Sequence, residues 1–164
     1  MTFLAEPKAY APAEFATFVE ALTWREWRPR FITLHNTGVP SLATWMDPVH
    51  SAMQRIVSQK HYERDILGWH SGVHLFVAQD LIWNLCDLTQ VGVSVSCWNH
   101  LTLGIEMVGD YAAESFESGA GRASPRERGS GPRSFTSQAW IAAGWLQAWR
   151  TRAAFSQRMP PRSS

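Results

Sequence analysis

The chain has 164 residues, 45% hydrophobic and 18% charged, with a formal net charge of +1, which fits one globular domain and excludes a disordered or fibrous protein. Its two cysteines, Cys86 and Cys97, are too few for a disulfide scaffold and lack the paired spacing of a zinc knuckle, so both read as buried thiols. Residues 1–7 contain no basic region leading into an apolar run, and no uninterrupted stretch of about 18 apolar residues occurs, so neither a secretory signal nor a membrane span is expected and cytoplasmic synthesis is the default.

In chain order, Pro12 suits a first helical turn, and Phe15, Phe18, Val19 and Leu22 follow at i, i+3, i+4 and i+7, which predicts an amphipathic helix over 12–23. Residues 30–35 read as a strand. Ser41 can cap a helix running toward Tyr62, with a break or fresh start near Asp47 because of Pro48. The apolar runs 73–78 and 81–85, joined across Gln79 and Asp80, predict a hairpin of buried strands. A long connection over 88–101 leads to a strand bearing Glu106. The order α, β, α, β, β, β predicts an α/β fold, a mixed central sheet flanked by helices.

Charge divides the chain. Through Gly121 there are seven Lys and Arg against thirteen Asp and Glu, a balance of −6; beyond it stand eight Arg against Glu127, a balance of +7. The residues from 122 onward also lack Lys, Asp, Asn, His, Cys, Tyr and Val. So abrupt a shift reads as a change of reading frame in GC-rich coding DNA, or a degenerate end, as readily as an evolved basic tail. The expected division is a globular body over 1–121 and a divergent Arg-, Ser-, Gly- and Pro-rich tail over 122–164. Within the tail, Ile141, Trp145 and Trp149 have helical spacing, which suits a helix against the sheet or an anionic surface, while Gly129 to Pro132 and Pro160 to Ser164 are linker-like.

Two residues carry the chemistry. His35 ends the run Phe31-Ile32-Thr33-Leu34-His35-Asn36-Thr37, and Glu106 lies inside Leu103-Gly104-Ile105-Glu106-Met107-Val108-Gly109-Asp110. An ionised carboxylate between Ile105 and Met107 requires pairing, hydrogen bonding or a metal. The bland alternatives are a structural, hydrogen-bonded His35 and a Glu106 paired with an arginine such as Arg30. His50, His61, His70 and His100 carry no spacing signal and read as surface or loop residues.

Leu34-His35-Asn36-Thr37, Gly68-Trp69, Gly72-Val73-His74-Leu75-Phe76 running into Asp80-Leu81-Ile82-Trp83, Trp98-Asn99, and the Glu106 strand together resemble the zinc-dependent type 2 N-acetylmuramoyl-L-alanine amidases, the peptidoglycan-recognition-protein-like family. The order and spacing of these motifs match from about residue 28 to residue 121, with the nearest likeness to phage, prophage and gram-negative members. The resemblance implies a hydrolase of the amide between N-acetylmuramic acid and the L-alanine of the stem peptide, with zinc as cofactor, peptidoglycan or muropeptide as partner, and an endolysin-like role in cell-wall degradation. In that scheme His35 is a zinc ligand, Glu106 the general base, and His74, Trp98 and Asn99 contact or orient substrate.

The sequence departs from the family where metal is concerned. Catalytic zinc takes three protein ligands, and the family's second and third, a His and then a Cys or Asp, come well after the Glu106 strand. Here no His follows His100, no Cys follows Cys97, and Ser94 stands where this segment often carries a His. An unexpected residue such as Asp110 or Glu117, or another chain, would have to complete the set. A catalytically dead peptidoglycan- or muropeptide-binding module is therefore the alternative function. A third class, nucleic-acid or membrane association through the arginines, lacks any base-reading motif, so no nucleic-acid partner is expected.

Overall fold

The computed structural model describes residues 2–24, 26–78 and 81–114; the division at residue 121, the apolar spacing at 141–149 and Glu117 lie outside them. The described elements are strand β1 (Phe3–Tyr10), helix α1 (Pro12–Glu20), β2 (Phe31–Asn36), α2 (Leu42–Met46), α3 (Ala52–His61) continuing into a π-helical turn (Tyr62–Ile66), β3 (Leu75–Val77), β4 (Ile82–Cys86), a 3-10 turn (Ser96–Leu101) and β5 (Thr102–Met107).

The five strands form one mixed sheet in the order β1-β4-β3-β5-β2. β1, β4 and β3 pair antiparallel, whereas β3, β5 and β2 run parallel. The expected α/β sheet is therefore present, with one strand more than the sequence indicated. β1 escapes a reading by periodicity because Phe3-Leu4-Ala5-Glu6-Pro7-Lys8-Ala9-Tyr10 neither alternates nor lacks proline. Pro7 is tolerable because β1 is an edge strand, where a missing N–H faces away from the ladder. Its register shifts between Phe3 and Lys8, and the Lys60 ammonium of α3 donates to the carbonyls of Leu4 (2.5 Å) and Ala5 (2.8 Å) in that irregular stretch.

Local chemistry sets the helix limits. Pro12 opens α1, and the Glu14 carboxylate accepts from the Ala11 N–H at 2.9 Å. Ser41 caps α2, which ends at Asp47 before Pro48, and a fresh capping box between Ser51 and Gln54 starts α3. The break expected near Asp47 thus separates two helices.

Helices cover both faces. Phe15 of α1 packs with Leu75, Val77, Ile82, Leu103 and Ile105, while Trp45 of α2 and Ile56 of α3 pack with Val73, Phe76, Trp83, Leu85 and Val108 on the opposite face. Each such burial contributes roughly 1.5–3 kcal/mol. Of the two cysteines expected to be buried, Cys86 is, and its thiol is pushed up to about 11 by burial. Cys97 is exposed, because it lies in the 3-10 turn before β5 rather than in a strand. Among the described residues, no helix is long and apolar enough to cross a membrane.

Candidate functional site

Parallel pairing of β2 with β5 puts His35 directly opposite Glu106, and β3 adds Phe76 to the same row. Side chains in register share a face, and alternate residues along a strand return to it. Phe76 belongs to the core beneath α2 and α3, so His35 and Glu106 look toward the α3 side, beyond the part of the sheet that α3 covers. Thr33, two residues before His35, joins them opposite Gly104.

Gly104 is required by a close approach. A side chain there would meet Ser94 Cβ and Oγ at 2.6 Å and Val73 Cγ2 at 3.0 Å. Ser94 therefore lies over the strip, held by a loop whose Ser94 and Val95 N–H groups both donate to Asn99 Oδ1, at 2.8 and 2.7 Å. Thr33 Oγ1, Ser94 Oγ, His35 Nε2 and Glu106 Oε2 are all shielded from water without a hydrogen-bond partner among the described residues. An unmet buried polar atom costs on the order of 1–3 kcal/mol.

A second carboxyl lies behind Glu106. Glu63, in the π-helical turn, is only 4% exposed. Its Oε1 accepts from Gln59 Nε2 at 3.0 Å, while its Oε2 has no partner and packs on the Cα of Gly72, where no side chain would fit. Burial raises the Glu63 carboxyl to about 6, against the smaller opposing effect of Gln59. Burial, and then the charge of Glu63, raise Glu106 to about 7. Neither carboxyl has a cation beside it: the ion pairs among the described residues join Asp65 to His61 and Arg64.

That geometry corrects the pairing of Glu106 with Arg30. The Arg30 N–H donates to the Leu101 carbonyl at 2.7 Å, at the entry to β5, five residues and roughly 16 Å along the strand from Glu106.

His74, expected to contact or orient substrate, is enclosed by the fold. It is 0% exposed, its Nδ1 accepts from the Gly104 N–H at 3.1 Å, and its Nε2 lies 2.9 Å from the Gln90 carbonyl. The acceptor role of Nδ1 places the proton on Nε2. Burial lowers its pKa, keeping the ring neutral, and Trp27 stacks on it at 5.6 Å. His74 serves the site only through the backbone of β5.

Trp98 and Asn99 separate in role. Trp98 is 53% exposed in the turn before β5, and its carbonyl accepts from Thr102 Oγ1 at 3.1 Å. It stands at the opposite end of β5 from Glu106, its ring open to a ligand. Asn99 Oδ1 is committed to the loop that carries Ser94.

Asp110 accepts from the Ala112 N–H at 3.3 Å, and among the described residues no three His, Cys, Asp or Glu side chains converge as a metal site. A groove of about 610 Å³ runs between Val39–Pro40 and the Met53, Gln54, Val57 and Ser58 side of α3. Neither His35 nor Glu106 lines it.

Glu63 and Thr33 are the residues that sequence reasoning missed. Thr33 was available from the period of two that relates it to His35. Glu63 follows Gln59 by four residues on a helix, but nothing local in the sequence shows that Gly72 leaves it a place.

Comparison with curated proteins gives no match. Residues 25–161 match the family described as N-acetylmuramoyl-L-alanine amidase. The match takes in β2 with His35, the buried hairpin and β5 with Glu106, and by it the chain belongs to the type 2 N-acetylmuramoyl-L-alanine amidase family.

Proposed function

We propose that the chain recognises peptidoglycan at the junction between N-acetylmuramic acid and the L-alanine of the stem peptide, the bond that gives its family its name. The observation that carries this reading is the His35–Glu106 pair, set in register on adjacent parallel strands at the open side of the sheet. With its carboxyl raised to about 7, Glu106 is present in both protonation states near neutrality. It can accept a proton from a group bound against it or donate one to a carbonyl.

Zinc is the ion that the resemblance implies; bound, it would polarise the amide carbonyl and activate a water. The unpartnered Nε2 of His35 suits one bond to such an ion. Two further ligands are needed. No third donor joins His35 and Glu106 among the described residues, and His74 has both nitrogens engaged. Beyond Glu114 the sequence holds, of these residue types, only Glu117 and Glu127. Among the described residues the donor set does not fit the family's zinc centre. It favours the second reading, a muropeptide-binding module, over hydrolysis.

The test is co-sedimentation of the full chain with insoluble peptidoglycan, with free amine release followed in the same tubes. The expected result is saturable co-sedimentation, weakened in Glu106→Gln and His35→Ala, with no amine release above the variants. Amine release lost in both variants would establish hydrolysis, and absence of co-sedimentation would overturn peptidoglycan recognition.

A further inference from the structure

The two outer strands of the sheet are built differently. β1 carries Pro7 and a register shift between Phe3 and Lys8, and Lys60 takes up two of its carbonyls. These are devices that keep an outer strand from pairing with another chain. β2 has none of them. It follows β5 through all six residues without a shift in register, and Phe31–Asn36 contains neither proline nor a permanently charged side chain. Phe31 and Leu34 are 56% and 52% exposed, and alternation along the strand sets them on opposite faces of the sheet.

This side of β2 is complementary to itself. Antiparallel pairing with a second copy, centred on Thr33, sets Thr33 opposite Thr33, Ile32 opposite Leu34, Phe31 opposite His35 and Arg30 opposite Asn36. Leu34 then meets an apolar neighbour and Phe31 an aromatic one, each on its own face, and no like charges meet. Moving the register by two residues sets Leu34 against Arg30 in one direction. In the other it sets Phe31 against Thr37, past the end of β2. The chain's own sequence beyond Glu114 offers a poorer match, with one Ile and no Val or Tyr, the residues that best suit a pleated, half-buried surface.

We infer that two copies of the chain associate through β2, antiparallel about Thr33, and join their sheets into one. Phe31 of the second copy then stands beside His35, so each copy contributes a side chain next to the other's His35–Glu106 row. The association follows from the strand itself and holds whatever ligand the row receives.

The experiment is sedimentation velocity of the full chain over a wide range of concentration, with Leu34→Lys and, as a control at an exposed apolar residue between α2 and α3, Val49→Lys. Expected is a monomer–dimer equilibrium that Leu34→Lys weakens roughly ten-fold or more and Val49→Lys leaves unchanged. Phe31→Lys reads the same strand if Leu34→Lys fails to fold. Cross-linking then tests the register in a Cys97→Ser background, where the remaining Cys86 is buried. Thr33→Cys should form a disulfide between copies, because pairing brings these Cα atoms within roughly 4.5–5.5 Å. Phe31→Cys, roughly 13 Å from its counterpart, should not. A monomer at every concentration would overturn the inference, as would association that Leu34→Lys spares or that Val49→Lys weakens equally. Dimers that fail to cross-link at residue 33, or cross-link equally at residue 31, would overturn the antiparallel pairing about Thr33.

Discussion

His74 shows how one side chain can be indispensable to a site it never touches. Its ring spans from the Gly104 N–H on β5 to the Gln90 carbonyl at the base of the loop that carries Ser94. β5 and the loop that carries Ser94 thus share one neutral imidazole. His74→Ala should lower unfolding stability by roughly 3 kcal/mol, since it leaves a cavity and two unmet backbone groups. Urea denaturation would measure the loss, and His74→Gln should recover part of it if the hydrogen bonds matter. The sequence showed a histidine in a buried hairpin but could not show which nitrogen faced what. Its partners lie 30 and 16 residues away. His35 and Glu106 were legible because each violates the apolar pattern of its own strand, a local signal. Glu63 was not, because what marks it is the absence of a side chain at Gly72.

Among the elements, β3 and most of β5 could be read directly, because strands buried on both faces are continuous apolar runs; β2, at the sheet edge, was read from its apolar residues although its outer side is exposed. Two helix starts were equally plain, since Pro12 needs no N–H partner in a first turn and Ser41 accepts from the Thr44 N–H, whereas Ser51 at the start of α3 was foreshadowed only as a break near Asp47. β1 was illegible because its pairing is non-local and its fixing point is a lysine on another element. Lys60 is nearly buried, and its ammonium serves the Leu4 and Ala5 carbonyls at the irregularity in β1. Lys60→Met keeps the apolar stem and removes the donor. It should cost roughly 2–3 kcal/mol, and amide exchange in residues 3–10 should accelerate more than in β3 or β5. Uniform acceleration across the sheet would show that Lys60 is not a tether for β1.

For the whole molecule, two carboxyls held above their ordinary range make stability depend on pH in an unusual direction. Glu63 rises from 4.5 to about 6 and Glu106 from 4.5 to about 7. Folded carboxyls that bind protons more tightly than unfolded ones stabilise the fold in acid. That advantage is lost as pH rises from about 4.5 to about 7 and changes little above. The loss is about 2 kcal/mol from Glu63, and Glu106 adds to it, discounted by its partial exposure to screening water. His74 works the other way: burial lowers its pKa from 6.5, so below that pH only the unfolded chain takes up its proton. The Glu63 share is therefore read by difference: in chemical denaturation, Glu63→Gln should gain stability on the parent chain at pH 8 relative to pH 5. An offset equal at both pH values would mean that Glu63 finds a counter-charge or water.

The family match begins at residue 25, whereas the sheet begins at Phe3. A shortened chain cut to the family's limits would remove β1 and α1 together, baring the outer backbone edge of β4 and the apolar surface around Leu75, Leu88 and Leu103. An unpaired, hydrophobic strand edge is a template for other chains. Such a fragment would precipitate or assemble through β4, and its behaviour would misrepresent a protein whose first twenty residues are part of its sheet and its core.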